Sequence, residues 1–225
     1  MKVACSWSSG KDSCLSLFKA QQQGYKVDYL FNFISEEYRR VTFHGAKAEL
    51  VKLQADSLGV ELVQKTTNER NYEEVFRNTL SELKSYGVGQ IIRGDIYLQD
   101  LKDWVQNMCQ AQDLGVISPI WHQDTKSVLN ELVDFGFKAI VTSAQAKKLQ
   151  KDWIGRVIDK QFIADIEKIS DVDICGEMGE FHSFVFDGPN FKNRIEITKT
   201  DKLFIKEYWF LDIQEYKIIE KEQRV

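Results

Sequence analysis

The stretch Ser8-Ser9-Gly10-Lys11-Asp12-Ser13 constrains most strongly what this chain can fold into. It follows a short apolar run, Val3-Ala4-Cys5, and precedes an amphipathic segment, Cys14-Leu15-Ser16-Leu17-Phe18. The order is strand, small-residue loop, helix. Small hydroxyl residues and a glycine let backbone approach an anion closely. The helix that follows points its unpaired N–H groups and the positive end of its dipole at the same place. Lys11 adds a full charge, so the segment is built to hold a phosphate. It is not a Walker loop, G-x-x-x-x-G-K-[ST]. The position five before Gly10 is Cys5, and Asp12 stands where Ser or Thr is required. A helix N-terminus contributes only about 0.3–2 kcal/mol to anion binding, whereas micromolar affinity needs about 8 kcal/mol. The rest must come from Lys11, further donors, a base pocket and a cation. Asp12 beside several phosphates would be repulsive without that cation, so Mg²⁺ between Asp12 and the phosphates is expected.

The chain around this loop has ordinary globular composition. Its 225 residues are 43% hydrophobic and 28% charged, with a net charge of −4, enough for one large domain or two modest ones. A nucleic-acid-binding module is usually basic, so the acidic balance argues against RNA or DNA as a partner. Cys5, Cys14, Cys109 and Cys175 form no C-x-x-C pair, which fits reduced thiols in a cytoplasmic protein rather than a zinc or disulfide framework. The first residues do not read as a signal peptide. No apolar run approaches the roughly 20 residues that span a bilayer. A homodimer is the default expectation for assembly.

Apolar runs alternate with helical periodicity through the first half. Strands are expected at Val27–Ile34, Val60–Val63 and Gln90–Arg93, with helices at Ala46–Leu58, at Tyr72 onward to near Gly87, and at Leu98–Leu114. Tyr72, Val75, Phe76, Thr79, Leu80 and Leu83 recur at helical spacing. This alternation predicts an α/β fold, a parallel doubly wound nucleotide-binding sheet. Ligands of such sheets sit beyond the carboxyl ends of the strands. Gly94 and Asp95 follow one such end and could share a crevice with Ser8–Ser13, where Asp95 would contact Mg²⁺ or the nucleotide; the alternative is a turn aspartate beside a turn glycine. Ile117–Trp121 is expected to be a strand or extended, Lys126–Phe135 a helix and Ala139–Thr142 a strand. Short helices are expected near Trp153–Ile158 and Phe162–Ile169. Strands without intervening helices follow at Phe184–Phe186, Arg194–Ile197 and Lys206–Ile213. The change predicts a smaller α+β lobe, dividing the chain into residues 1–118 and 119–225. His44 and His122 read as loop residues, although His44 lies where it could touch nucleotide. Cys5 and Cys14 read as packing groups.

A second dense stretch is Cys175-Gly176-Glu177-Met178-Gly179-Glu180-Phe181-His182-Ser183-Phe184-Val185-Phe186-Asp187-Gly188-Pro189. Gly176 and Gly179 permit tight turns. Glu177 and Glu180 could hold a metal, bind an amine or act as a base, and His182 could move protons. Spacing alone also allows a solvated turn.

The Ser8–Ser13 loop resembles the pyrophosphate loop (PP-loop) of the ATP pyrophosphatases, S-G-G-K-D-S, departing from it only at Ser9. That resemblance implies Lys11 and the loop on the β- and γ-phosphates of ATP and reaction at the α-phosphate. Taken with the Gly176–Pro189 stretch, Gly94-Asp95-Ile96 and Pro119-Ile120-Trp121, the chain resembles the diphthine–ammonia ligase family of the adenine nucleotide alpha hydrolase superfamily, collinearly from residue 1 to about residue 195. The resemblance implies an amide-forming ligase using ATP and Mg²⁺. A substrate carboxylate becomes an acyl-adenylate, pyrophosphate leaves, and ammonia displaces AMP. Lys11, Glu177 and Glu180 would be catalytic. Ser8, Ser9, Gly10, Lys11, Asp12, Ser13, Gly94 and Asp95 would hold the nucleotide, with Asp12 on the metal. Gly176, Glu177, Gly179, Glu180 and His182 would face ammonium and the carboxylate acceptor. Tyr97–Trp104 departs from the family pattern, which has two arginines and a glutamate there. Phe181-His182-Ser183-Phe184 and Phe43-His44-Gly45 look more like a bacterial branch. The acceptor therefore stays open between diphthine, a modified histidine of elongation factor 2, and another carboxylate such as a corrinoid-related acid. Two other readings are tRNA thiolation, which would call on Cys175, and a non-catalytic ATP sensor.

Overall fold

The computed structural model describes residues 1–42 and 44–221. Phe43, one of the residues carrying the family resemblance, lies outside the described residues. The chain opens with five parallel strands. They are β1 (Lys2–Ser6), β2 (Val27–Ser35), β3 (Glu61–Thr67), β4 (Val88–Ile92) and β5 (Gly115–Ile117), in spatial order β3-β2-β1-β4-β5. Helices α1 (Lys11–Gln22), α2 (Ala48–Leu58), α3 (Tyr72–Ser85) and α4 (Gln99–Gln110) connect them. The central strands read as apolar runs because both faces are covered. Tyr29, Phe31 and Phe33 of β2 face α3 and α4, where Phe76, Leu80, Leu83 and Val105 meet them. Val27 and Leu30 face the other side with Leu15, Leu17, Leu50 and Val51. Each such side chain contributes about 1.5–3 kcal/mol of burial. Gly59 ends α2 in the left-handed region, with φ 68°.

The remainder builds an antiparallel sheet with helices beside it. Helix α5 (Thr125–Asp134) starts at Asp124, whose carboxylate accepts from Ser127 N, and α6 (Lys160–Ile166) starts at Asp159, which accepts from Phe162 N. Strands β6 (Lys138–Gln145), β7 (Phe181–Asp187), β8 (Asn193–Ile205) and β9 (Tyr208–Glu220) lie in the order β7-β6-β9-β8. This lobe packs on the α1/α2 face. Phe137, Val141, Phe162, Phe181 and Phe184 share one continuous core with Leu15, Leu50 and Trp7.

Three expectations differ from the structure. The helix over Trp153–Ile158 is replaced by a single 3-10 turn at Lys151–Trp153. Gly155 (φ 82°) then turns the chain alongside β6, with Gly155 N on Val141 O and Ile158 N on Ala139 O. The buried spacing of Trp153, Ile154 and Ile158 thus serves extended backbone. The fifth strand ends at Ile117, and Trp121 sits in the turn that follows, its N–H on Ser118 O. The strand expected from Lys206 begins at Tyr208, because Lys206 and Glu207 (φ 48° and 67°) form the hairpin turn.

Candidate active site

The first turn of α1 begins at the carboxyl end of β1. Gly10 is its N-cap residue, extended at φ −91°, and Cys14 N donates to Gly10 O. The loop is held by its own hydroxyls: Ser8 Oγ lies 3.1 Å from Ser13 Oγ, Gly10 N donates to Ser8 Oγ, and Ser13 Oγ donates to Gly10 O. Ser9 sits at φ 71° and its hydroxyl is buried without a partner. Glycine, the family's residue at this position, is the one that takes this conformation without cost. Ser9→Gly is therefore expected to relieve strain of about 1–2 kcal/mol against the entropy glycine adds to the unfolded chain. A net gain of about 1 kcal/mol should appear in denaturant melts; a loss would show that the hydroxyl is needed in place.

Gly94 comes against this turn. A Cβ on Gly94 would lie 2.9 Å from Asp12 C and from Ser13 N, so only glycine permits the approach. Asp95 is held differently. Arg93 Nε and Nη2 donate to its two oxygens at 3.0 and 2.9 Å, and Arg93 Nη1 donates to Ser6 Oγ. Both Asp95 oxygens are thus engaged by a neighbouring guanidinium.

The second signature reaches the same loop from 172 residues away. Lys11 N donates to Ser183 Oγ at 3.2 Å, and Val185 N donates to Ser9 O at 3.0 Å, so β7 runs beside the loop. The Lys11 ammonium lies 5.1 Å from the centre of the Phe181 ring and 2.9 Å from Asp12 Oδ2. Burial opposes the Lys11 charge, but Asp12, Cys175 and Glu177 together more than offset it and the pKa is raised. Burial also pushes the Asp12 carboxyl up, only partly countered by Lys11. Asp12 Oδ1 is buried with no partner. Among the described residues no group of three acids, histidines or cysteines could hold a metal alone. An ion completing its shell with phosphate oxygens and water needs only one or two carboxylates, and the orphaned Asp12 Oδ1 fits that requirement.

Glu177 and Glu180 have different surroundings. Glu177 Oε1 accepts from Ile96 N at 2.8 Å and Tyr97 N at 3.4 Å, joining the two lobes. Burial raises its pKa to about 7 despite those two donors. Glu180 Oε1 accepts from Asp173 N at 3.0 Å, while Oε2 is buried without a partner. Gly176 is required where it stands: φ is 67°, and a Cβ would lie 2.7 Å from Phe181 O. Gly179 O accepts from Gln145 Nε2. His182 lies against His44 with ring centroids 4.5 Å apart and the rings tilted by 46°, and His44 packs over Gly10. Burial lowers the His44 pKa to about 4 and that of His182 well below its usual range, so this pair is neutral.

Several further residues belong to the site without having been singled out by sequence. Gln54 is fully buried. Its Oε1 accepts from Trp7 Nε1, and its Nε2 donates to Ser9 O and Val185 O at 3.1 and 2.6 Å. One amide thereby ties α2, the loop and β7 together; the available signal was a glutamine in the apolar stripe of α2 beside Leu50 and Val51. Asp173 Oδ1 accepts from Cys175 N and Glu177 N, and burial together with the nearby charges of Asp173, Glu177 and Glu180 pushes the Tyr97 pKa up to about 12. Ser183 lies inside the Cys175–Pro189 stretch.

The model of the diphthamide synthase N-terminal domain matches residues 1–118, and that of the C-terminal domain matches residues 124–221. The chain belongs to the diphthamide synthase family. Diphthine–ammonia ligase of Danio rerio is 24% identical over 226 residues, covering 89% of this chain and 88% of that protein. The tRNA-specific 2-thiouridylase MnmA of Haemophilus influenzae is 38% identical over 86 residues, 37% of this chain and 22% of that one. A solved structure, described as a predicted subunit of a tRNA methyltransferase from Methanocaldococcus jannaschii, has 17% identity and a TM-score of 0.48, covering 84% of this chain and 98% of that one. The diphthamide synthase family assignment carries with it a PP-loop, adenine nucleotide alpha hydrolase-like fold and ATP-dependent ligase chemistry. Among the described residues no helix is long and apolar enough to cross a membrane.

Proposed function

We propose that this protein is an ATP-dependent carboxylate–ammonia ligase that forms AMP and pyrophosphate. The observation that carries this reading is the interlock of the two signatures, Lys11 N on Ser183 Oγ and Val185 N on Ser9 O. It sets an acidic loop beside a phosphate-binding helix start. Residues 1–118 would bind ATP, and residues 119–225 would enclose the acceptor. Ser8–Ser13 and Gly94 shape the phosphate site. Asp95 supports it through Arg93. Lys11 stabilises charge building on the departing pyrophosphate. Asp12 would hold Mg²⁺, which supplies charge neutralisation between the phosphates. Glu177 is suited to accept a proton near neutral pH. Gly176, Gly179 and His182 give the acceptor loop its shape.

The thiolation reading is disfavoured by the cysteines. All four are buried. Burial pushes Cys109 up to about 11 and raises Cys5, Cys14 and Cys175 as well, whereas a sulfur carrier needs an accessible thiolate. The acceptor is a carboxylate, with diphthine and other acids equally open. A panel of carboxylates with ATP, Mg²⁺ and ammonium tests the reading. AMP and pyrophosphate are expected in equal, acceptor-dependent amounts. ADP as product would overturn it, and binding of ATP without turnover on any acceptor would favour a sensor.

A further inference from the structure

Gln54 is completely buried, and its amide uses both N–H groups and its oxygen. Trp7 Nε1 can only donate, so Oε1 must face it and Nε2 must face the carbonyls of Ser9 and Val185. Trp7 is itself held. Its N donates to Phe31 O, and its O accepts from Asn32 Nδ2 at 2.7 Å. Asn32 Oδ1 in turn accepts from Gln64 Nε2. A satisfied buried network of this kind is rigid. It runs from β3 through β2 to one atom of the phosphate loop, Ser9 O. That oxygen takes two donors, Gln54 Nε2 at 3.1 Å and Val185 N at 3.0 Å. A trans peptide points its oxygen and its N–H in opposite directions. With Ser9 O drawn toward α2 and β7, the Gly10 N–H is turned the other way, toward Ser8 Oγ at 3.3 Å. Ser8 is half-buried, so this is the open side of the loop. The reverse orientation would aim a carbonyl oxygen at an incoming phosphate.

We propose that Gln54 is a positioning residue for ATP, a latch that holds the Ser9–Gly10 peptide so that Gly10 N–H, and not Ser9 O, faces the phosphates. This rests on the ATP-binding part of the reading above. Ser9 is the second half of the latch. Its φ is 71°. Turning the Ser9–Gly10 peptide over from the left-handed region, with φ held there, leads into backbone territory that essentially only glycine occupies. Serine at position 9 therefore blocks the flip that the family's glycine would allow. The strain carried by Ser9 and the buried amide of Gln54 serve one purpose, a fixed donor toward the anion. Because Val185 belongs to β7, the latch closes only when the second lobe is docked on the loop.

The test is calorimetric titration of the full chain with ATP and Mg²⁺, without acceptor, in the wild type, Gln54→Met, Ser9→Gly and the double variant. Methionine fills the same space without hydrogen bonds. Gln54→Met should weaken ATP binding about tenfold with Ser9 in place. In the Ser9→Gly background the same change should cost about tenfold more, because the flipped peptide is then open. A residue that only packs would give the same loss in both backgrounds. Since Gln54→Met takes three hydrogen bonds out of the interior, Trp7→Phe is measured beside it. Phenylalanine keeps a ring in the core but releases Gln54 Oε1, so the amide can turn, and it should show a smaller coupling of the same sign to Ser9→Gly. Equal losses in the two backgrounds, no loss in Gln54→Met, or no binding of ATP by the wild type would overturn the latch. The titration needs neither acceptor nor turnover, so its failure is separable from failure of the ligase reading, which is judged by AMP and pyrophosphate production.

Discussion

Lys11→Ala should lower ATP-dependent turnover by about 100- to 1,000-fold, the loss expected when one preorganised group that stabilises developing charge is removed. The loop would keep its backbone grip, because Lys11 N, not its side chain, bonds to Ser183 Oγ. Stability should fall too. The Lys11 ammonium is the partner that Asp12 Oδ2 has at 2.9 Å, and its side chain is 4% exposed. Its removal leaves a largely buried carboxylate unpaired, at a cost of about 3 kcal/mol. The two effects can be separated. In Lys11→Ala/Asp12→Asn the orphaned charge is gone, so the denaturation midpoint should recover while turnover stays low. Since burial already pushes Asp12 up, the stability deficit of the single variant should shrink on acidification, as Asp12 takes a proton. Pyrophosphate release and urea melts at two pH values measure all three. Undiminished pyrophosphate release by Lys11→Ala would remove the loop from the reaction.

The Lys11 environment also shows where sequence reading runs out. The loop and its helix were legible because their determinants are local: small residues, a lysine, and an apolar run on either side. The parallel sheet followed from alternating periodicities, and Gly94 stood out as a glycine at a strand end. The contacts that make a site of these parts are not local. Gln54 is one of several polar residues in α2, and its role exists only because β7 arrives beside Ser9. Glu177 meets Ile96 N and Tyr97 N across the two lobes without any spacing to announce it. Glu177 and Glu180 look equivalent in G-E-x-G-E, but one oxygen of Glu177 caps backbone in the first lobe and one oxygen of Glu180 is left bare. The long hairpin was legible only in part. Its outer half is exposed, with Phe204 57% accessible, so inward–outward alternation fades after Ile197, and its turn has no glycine to mark it.

Glu177→Gln should divide the reaction. Glutamine retains an oxygen for Ile96 N, so lobe geometry and ATP binding should survive, and acceptor-dependent pyrophosphate exchange with them. What is lost is an acid–base group with pKa about 7, close to the optimum for proton transfer at neutral pH. Amide formation should fall about 100-fold or more. In the wild type its rate should climb as pH rises through about 7, and in the variant that inflection should be missing. Stability supplies an independent check with a defined sign. Burial raises the carboxyl from its ordinary 4.5 to about 7 in the folded protein, so between those values the folded state binds more protons than the unfolded one. The stability linked to that proton is fully present below about 4.5 and is lost progressively as pH rises to about 7, some 3 kcal/mol in all. Glutamine cannot ionise, so the variant should gain on the wild type by about that amount between pH 4 and pH 8. A variant that gains nothing on the wild type would mean that Glu177 is solvated in the folded protein. Equal loss of pyrophosphate exchange and amide formation would instead move Glu177 into the nucleotide site, and the proton would need another acceptor.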